Sequence, residues 1–353
     1  MNEYVKMIIN DSIVFKTFKH VMSAFASRTI AVSSAACDIG GGRKQQDAGF
    51  TTVLTTSSGR SATVAAVFDG HGAKRGEVIS QTASDVFRSE MQCDRWLDQF
   101  LAAPEDVGER LFAKASAEAF RLAENVLKTK NTPYRVENGF IITDELELIH
   151  GGTTATLVIA VDDGTVHCFN VGDSEAWVCN EKGRTQLYTD HSPDNEDEYK
   201  RIMAFSPSSQ IVYDYNPICG QPRQAGGDHV FPRRDGFLGY YFKNVRNEYA
   251  TLFCANGFRL AMTRCIGDEP MRSGGLSAKS SYKCIRVEDT SVIRIATDGF
   301  WDNITQEEIV FPQSKLDANA LNASWFQETE QKALANFGAG RDNMWGYTMI
   351  IEC

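Results

Sequence analysis

No apolar run in the chain approaches the ~18–20 residues that a membrane-crossing helix needs, so no integral membrane segment is expected. There is no basic excess either. Acidic residues outnumber basic ones 46 to 36, for a net charge of −10. A nucleic-acid partner calls for a basic face, and this balance excludes it as the main ligand. The nine cysteines are odd in number and scattered, with no C-x-x-C pair. That spacing excludes a zinc ribbon or a disulfide framework and fits reduced thiols. An intracellular compartment, cytoplasmic or nuclear, is therefore expected. Residues 1–28 lack the compact apolar core of a signal peptide, although their basic and apolar mixture leaves targeting open. Long linkers, internal repeats and low-complexity runs are missing as well.

What is present is ordinary globular material, 42% apolar and 23% charged over 353 residues. With no linker to divide it, the chain reads as one domain over residues 29–353 behind an extension of residues 1–28. Val14, Phe18, Val21 and Phe25 recur in that extension at the spacing of a short amphipathic helix. A monomer is expected. The acidic excess suits a site built from carboxylates, whose charge a divalent ion would offset.

The stretch VAAVFDGHG, residues 64–72, organises the rest. Five apolar residues, Val64 to Phe68, read as a buried strand that ends abruptly in Asp69 and Gly70. Gly70 would let a backbone carbonyl approach whatever the carboxylate binds. SVIRIATDG, residues 291–299, repeats the device with Asp298 and Gly299. Two carboxylates on strand tips invite a metal reading. Asp47, Asp173, Asp302 and Asp342 supply further candidates.

Around these stretches, TIAVSSA, GFTTVLTT and ATVAAVF read as strands. Residues 73–130 carry two helical patterns with apolar residues three and four apart. TTATLVIAV, TVHCFNV, SEAWVC and TQLYT, separated by three turn signals, predict a four-stranded antiparallel meander. EDEYKRI opens a helix with acid first and base later, as the helix dipole prefers. Thr305 is positioned to cap a helix QEEIV, and Asn322 to Phe337 reads as another. Residues 206–256, rich in Pro, Gly and Arg, form an irregular excursion, the kind of surface segment that carries recognition. Helices clustered between groups of strands predict an α+β sandwich.

Cys37 and Arg43 stand at the C-x5-R spacing of a cysteine phosphatase loop. Asp38 beside the thiol would raise its pKa, the wrong direction for a thiolate nucleophile, and disfavours that reading.

Taken together, KQQDAG, VFDGHG, GGTTAT, NVGDSEA, DHSP with EDEYKRI, LAMTRCIGD, ATDGFWDN and GRDN resemble, in order, the type 2C metal-dependent protein serine/threonine phosphatases. The resemblance spans roughly residues 30–353. It implies an α-β-β-α sandwich of two antiparallel sheets flanked by helices, with a metal centre at one sheet edge. It further implies Asp47, Asp69, Asp298 and Asp342 as metal ligands, with Gly70 giving its carbonyl. Asp173 and Asp302 would serve a third, weaker ion. Mg²⁺ or Mn²⁺ is implied, two core ions sharing a hydroxide that attacks phosphorus in line. His71 would be the general acid, Arg43 the phosphate holder, and phosphorylated proteins the substrates.

The chain departs from the family pattern at three places. Gln46 replaces an acid, which implies a weaker metal site. Arg43 lies one residue nearer Asp47 than usual. Glu175 stands where an arginine often follows NVGDS. A catalytically silent relative that binds phosphoproteins is the alternative from a different class.

Overall fold

The computed structural model describes residues 28–38, 45–72, 75–129, 134–137, 140–143, 151–213, 222–223, 240–241, 243–246, 248, 250–313, 316–338 and 341–352. The expected helix near the N-terminus and the expected phosphate holder Arg43 lie outside these residues, as does most of the excursion's middle.

Two five-stranded antiparallel sheets face each other. In one, the order is Thr29–Asp38, Met344–Glu352, Ser291–Ala296, Glu175–Asn180 and Gly183–Gln186. In the other, it is Ser281–Arg286, Thr165–Val171, Ala155–Val161, Ser61–Phe68 and Ala48–Thr55. Both sheets are covered on both faces, so their central strands are apolar throughout rather than alternating. In Ser61–Phe68, Ala65 and Val67 pack between the sheets against Val158, Ile293, Ile295 and Met349. Val64, Ala66 and Phe68 point the other way, into a core with Phe87, Phe100 and Phe112. That second core belongs to the helices Gly76–Met91, Trp96–Ala102 and Pro104–Thr129. The opposite outer face carries the helix Ala318–Phe337, whose Trp325 and Phe326 pack on Trp177, Phe300 and Trp301. Helix, sheet, sheet and helix are thus stacked as expected. No described helix is long and apolar enough to cross a membrane.

The four-stranded meander is corrected. Ala155–Val161 and Thr165–Val171 form a hairpin in one sheet, while Glu175–Asn180 and Gly183–Gln186 form a hairpin in the other. Gly172-Asp173 is therefore a crossing between sheets, with Gly172 at φ 94° where an L side chain would be strained. A turn signal marks where a strand ends but not which sheet the next strand joins, and the opposed cores decide that. The QEEIV helix is a single 3₁₀ turn, Gln306–Glu308, although Thr305 does cap it in a reciprocal capping box with Glu308.

Within the excursion, Gln210–Tyr213 pairs with Thr251–Ala255, which pairs in turn with Phe258–Leu260 just beyond it. This small sheet packs with Ile202 of the helix Glu196–Phe205 into a satellite core around Phe253 and Met271.

Candidate metal centre and active site

Antiparallel register gathers the candidate aspartates at one end of the sandwich. Ala48 pairs with Phe68, Ala155 with Val171, and Ala296 with both Glu175 and Gly346. Asp47, Asp69, Asp173 and Asp298 each lie within two residues of one of those pairs, and Asp342 precedes the strand Met344–Glu352. Oxygen atoms of Asp69, Asp173 and Asp298 all lie within 4.8 Å of one another.

Threonines fasten the carboxylates across the sheets. Thr297, fully buried, donates from Oγ1 to Asp47 Oδ2 at 2.9 Å and accepts from the Trp345 backbone N–H at 3.0 Å. A residue of one sheet thereby orients a carboxylate of the other. The Asp69 backbone N–H donates to Thr154 Oγ1 at 3.1 Å, and that hydroxyl meets Ser174 Oγ at 2.7 Å. The backbone around Gly70 is crowded. A Cβ there would lie 2.3 Å from the Gln46 carbonyl oxygen and 2.5 Å from that of Gly76. Gly70→Ala is accordingly expected to push apart the loops carrying Asp47 and Asp69. Divalent-ion affinity should fall at least tenfold by calorimetric titration.

The electrostatics are those of crowded anions. Burial raises the pKa of Asp47 well above the usual carboxylate value, and Asp342 and Asp298 raise it further, against the Thr297 hydrogen bond. Asp69 is raised well by burial and by Asp298 and Asp47. Asp298 goes the other way. Burial pushes it up, but the Lys243 charge and hydrogen bonds more than offset this and leave it low. Lys243 Nζ donates to Asp173 Oδ2 at 2.5 Å and lies 3.4 Å from Asp298 Oδ2. Asp173 Oδ1 is buried and has no hydrogen-bond partner among the described residues. Asp302 is raised well by burial, with Lys243 lowering it and Asp298 raising it. Oxygen-only donors carrying mutual repulsion fit a hard divalent cation.

Beside this centre, three two-residue strands, Ile266–Gly267, Gly152–Thr153 and Gly70–His71, set a second group in place. His71 Nε2 lies 2.6 Å from Oδ2 of the buried Asp268. Burial opposes charge on the imidazole, but the Asp268 carboxylate outweighs it and raises the pKa. Cys265 Sγ donates to the same oxygen at 3.7 Å. Gly152 makes room for the pair, since a Cβ there would lie 2.4 Å from Asp268 Oδ2 and 2.7 Å from His71 Nε2.

Sequence reasoning missed Lys243, Arg246, Thr297, Asp268 and Asp190. Glu175, the expected departure from arginine, receives Arg246 Nη1 at 3.2 Å and also pairs with Arg246 Nη2. Asp190 of DHSP has its pKa raised to about 7, first by burial and then by Asp173 and Asp194, against hydrogen bonds from Ser192. A cavity of about 170 Å³ lies over the centre, lined in part by Asp173, Asp190, Lys243, Arg246, Asp298 and Asp302. Four stretches carried these residues: TRCIGD held Asp268, DHSP held Asp190, ATDGFWDN held Thr297, and the excursion held Lys243 and Arg246. His191, the histidine of DHSP, is structural. Burial lowers its pKa to about 3, its Nδ1 accepts from the Gly172 N–H, and its Nε2 meets Ser281 Oγ. Cys37 sits inside a strand, paired with Trp345, which is no place for an anion loop to begin.

Comparisons with known proteins agree on one family. The model for "Protein phosphatase 2C" matches residues 34–319. A rice "Probable protein phosphatase 2C 49" is 28% identical over 262 residues, covering 72% of this chain and 51% of the relative. The Arabidopsis thaliana "Protein phosphatase 2C 77" is 31% identical over 178 residues, covering 49% and 33%. The chain thus spans between a third and about half of the length of these relatives. Among solved structures, a serine-threonine phosphatase 2C from Toxoplasma gondii superposes with a TM-score of 0.62, covering 96% of this chain and 99% of that one at 17% identity.

Proposed function

The chain belongs to the protein phosphatase 2C family, and from that premise we propose that it hydrolyses phosphoserine and phosphothreonine esters of proteins with divalent ions. The observation that carries the reading is that Asp69, Asp173 and Asp298, from strand ends of both sheets, bring carboxylate oxygens within 4.8 Å of one another. Asp47, Asp69, Asp298 and Asp342 would hold two core ions, Mg²⁺ or Mn²⁺, with the Gly70 carbonyl. Held by these residues, such ions would supply activation of a water molecule and offset of the charge that develops on the phosphoryl group.

The chain's own residues do the rest. Thr297 holds the Asp47 carboxylate in one orientation. Gln46 spends its amide on the Gly72 carbonyl at 3.1 Å, and it adds no negative charge to the site. Arg43, one residue off the family's usual position, is assigned the phosphate-holding role for the bidentate match of its guanidinium to a phosphate. His71 carries a proton for the departing serine or threonine oxygen, and Asp268 keeps that proton on the ring and fixes the ring's direction. Asp268→Asn is therefore expected to lower kcat about 10–100-fold with little change in KM. It should also move the base-side limit of the pH–rate profile to lower pH, because the Asp268 carboxylate is what raises the His71 pKa, and a purely structural lesion would leave that limit in place.

The reading is tested by hydrolysis of p-nitrophenyl phosphate, titrated with Mn²⁺ and Mg²⁺, in the presence and absence of EDTA and in Asp298→Asn. Metal-dependent turnover lost in both controls supports it. Absence of turnover in folded protein makes the chain a silent phosphoprotein-binding relative. Turnover that survives EDTA and Asp298→Asn returns the mechanism to Cys37.

A further inference from the structure

We propose that the Lys243 ammonium takes the place of a divalent ion at the outer position of the carboxylate centre, so that the chain supplies its third cation itself. The inference rests on the metal-centre reading above and concerns the position bounded by Asp173, Asp298 and Asp302. There the Lys243 Nζ lies 2.5 Å from Asp173 Oδ2 and 3.4 Å from Asp298 Oδ2. Asp173 is only 6% exposed, and its second oxygen, Oδ1, is buried without a partner among the described residues. A carboxylate held this deep, with one oxygen on an ammonium and the other idle, is a cation site whose occupant satisfies half of it.

Neighbouring contacts fix the lysine there. The Val245 N–H donates to the Asp302 carbonyl at 3.0 Å. Asn244 Nδ2 reaches Asp302 Oδ1 at 3.5 Å. Arg246 is bound by Glu175 through both terminal nitrogens, with Nη1 at 3.2 Å. Residues 243–246 thus clip onto both motifs that frame the position, GDSE and DGFWDN. Glu175 in place of the usual arginine belongs to the same arrangement, because it is what receives Arg246. A tethered ammonium also has no entropy of capture to lose, unlike a free ion, and it excludes a divalent ion from the oxygen it occupies.

The test counts bound Mn²⁺ in the full chain by equilibrium dialysis with electron paramagnetic resonance of the free ion, at millimolar Mn²⁺. Lys243→Met, which keeps the length and removes the charge, is expected to bind one more Mn²⁺ per chain than the wild type. Lys243→Arg, which keeps the charge, is expected to bind the wild-type number. Melting in EDTA and in Mn²⁺ gives a second readout. The methionine variant should be the less stable in EDTA and should gain more from Mn²⁺ than the wild type does. Equal counts and equal melting shifts in the wild type and Lys243→Met overturn the proposal. The wild-type count reports separately on the core site. A wild type that binds no Mn²⁺, with one gained in Lys243→Met, would retain the lysine's role and sink the two-ion core. If neither protein binds, both fail.

Discussion

Asp69→Asn is expected to lower metal-dependent phosphoester hydrolysis at least a thousandfold and, in the same protein, to raise the melting temperature measured in EDTA. The activity loss follows from position. Asp69 has an oxygen within 4.8 Å of oxygens of both Asp173 and Asp298, and the charges of Asp298 and Asp47 both act on it. A factor of a thousand corresponds to about 4 kcal/mol of transition-state stabilisation, within the several kcal/mol that a bound ion supplies. The stability gain follows from repulsion. Burial, Asp298 and Asp47 raise the Asp69 pKa above its unfolded value. The sign is then fixed: ionisation of this group opposes folding, and the metal-free protein loses stability as pH rises through the raised folded value. An amide removes that penalty. A gain of roughly 2 °C in EDTA is expected, together with a flatter stability–pH curve and a smaller stabilisation by Mn²⁺. Calorimetry of the two proteins with and without EDTA checks all three. A variant that is inactive and also less stable in EDTA would mean that Asp69 is structural rather than held at a cost.

Glu198→Gln is expected to destabilise the protein by about 3 kcal/mol, the scale of breaking a buried ion pair. Glu198 is 3% exposed. It receives Arg264 Nε at 3.0 Å, Arg201 Nη2 at 2.8 Å and Thr263 Oγ1 at 2.6 Å. Burial alone would raise its pKa, but these hydrogen bonds and charges bring it down to about 2. A depressed folded value means that the contribution is fully present above the unfolded carboxylate pKa. It is lost as pH falls from about 4.5 toward about 2. Urea denaturation at pH 7 and pH 3 separates the two proteins. The gap between wild type and Glu198→Gln should narrow at the lower pH. A gap that is unchanged or wider would mean the glutamate acts through packing rather than charge. The network also binds the helix Glu196–Phe205 to the stretch that holds Asp268, so its loss is expected to reach His71.

How much of this was legible in the sequence depends on the scale of the force involved. The sandwich could be read because its central strands must be apolar on both faces, and Val64 to Phe68 show that directly. The strand-tip aspartates could be read because Asp-Gly ends an apolar run abruptly. The crossing at Gly172-Asp173 could not, because a hairpin turn and a crossing use the same residues. Glu198 shows in the sequence only as part of an acidic first turn, which looks the same whether it faces water or Arg264. Lys243 was invisible for a related reason. It lies 70 residues from Asp173 in sequence, inside an irregular segment, and only the clip of Asn244, Val245 and Arg246 onto Asp302 and Glu175 brings it to the centre.

The most direct measurement of the metal centre is anomalous diffraction from a crystal of the chain grown with Mn²⁺. Peaks are expected among the carboxylates of Asp47, Asp69, Asp298 and Asp342, with no peak where the Lys243 ammonium lies. A map with no peak among those aspartates, or with the ion held instead by His71, Cys265 and Asp268, would contradict this assignment.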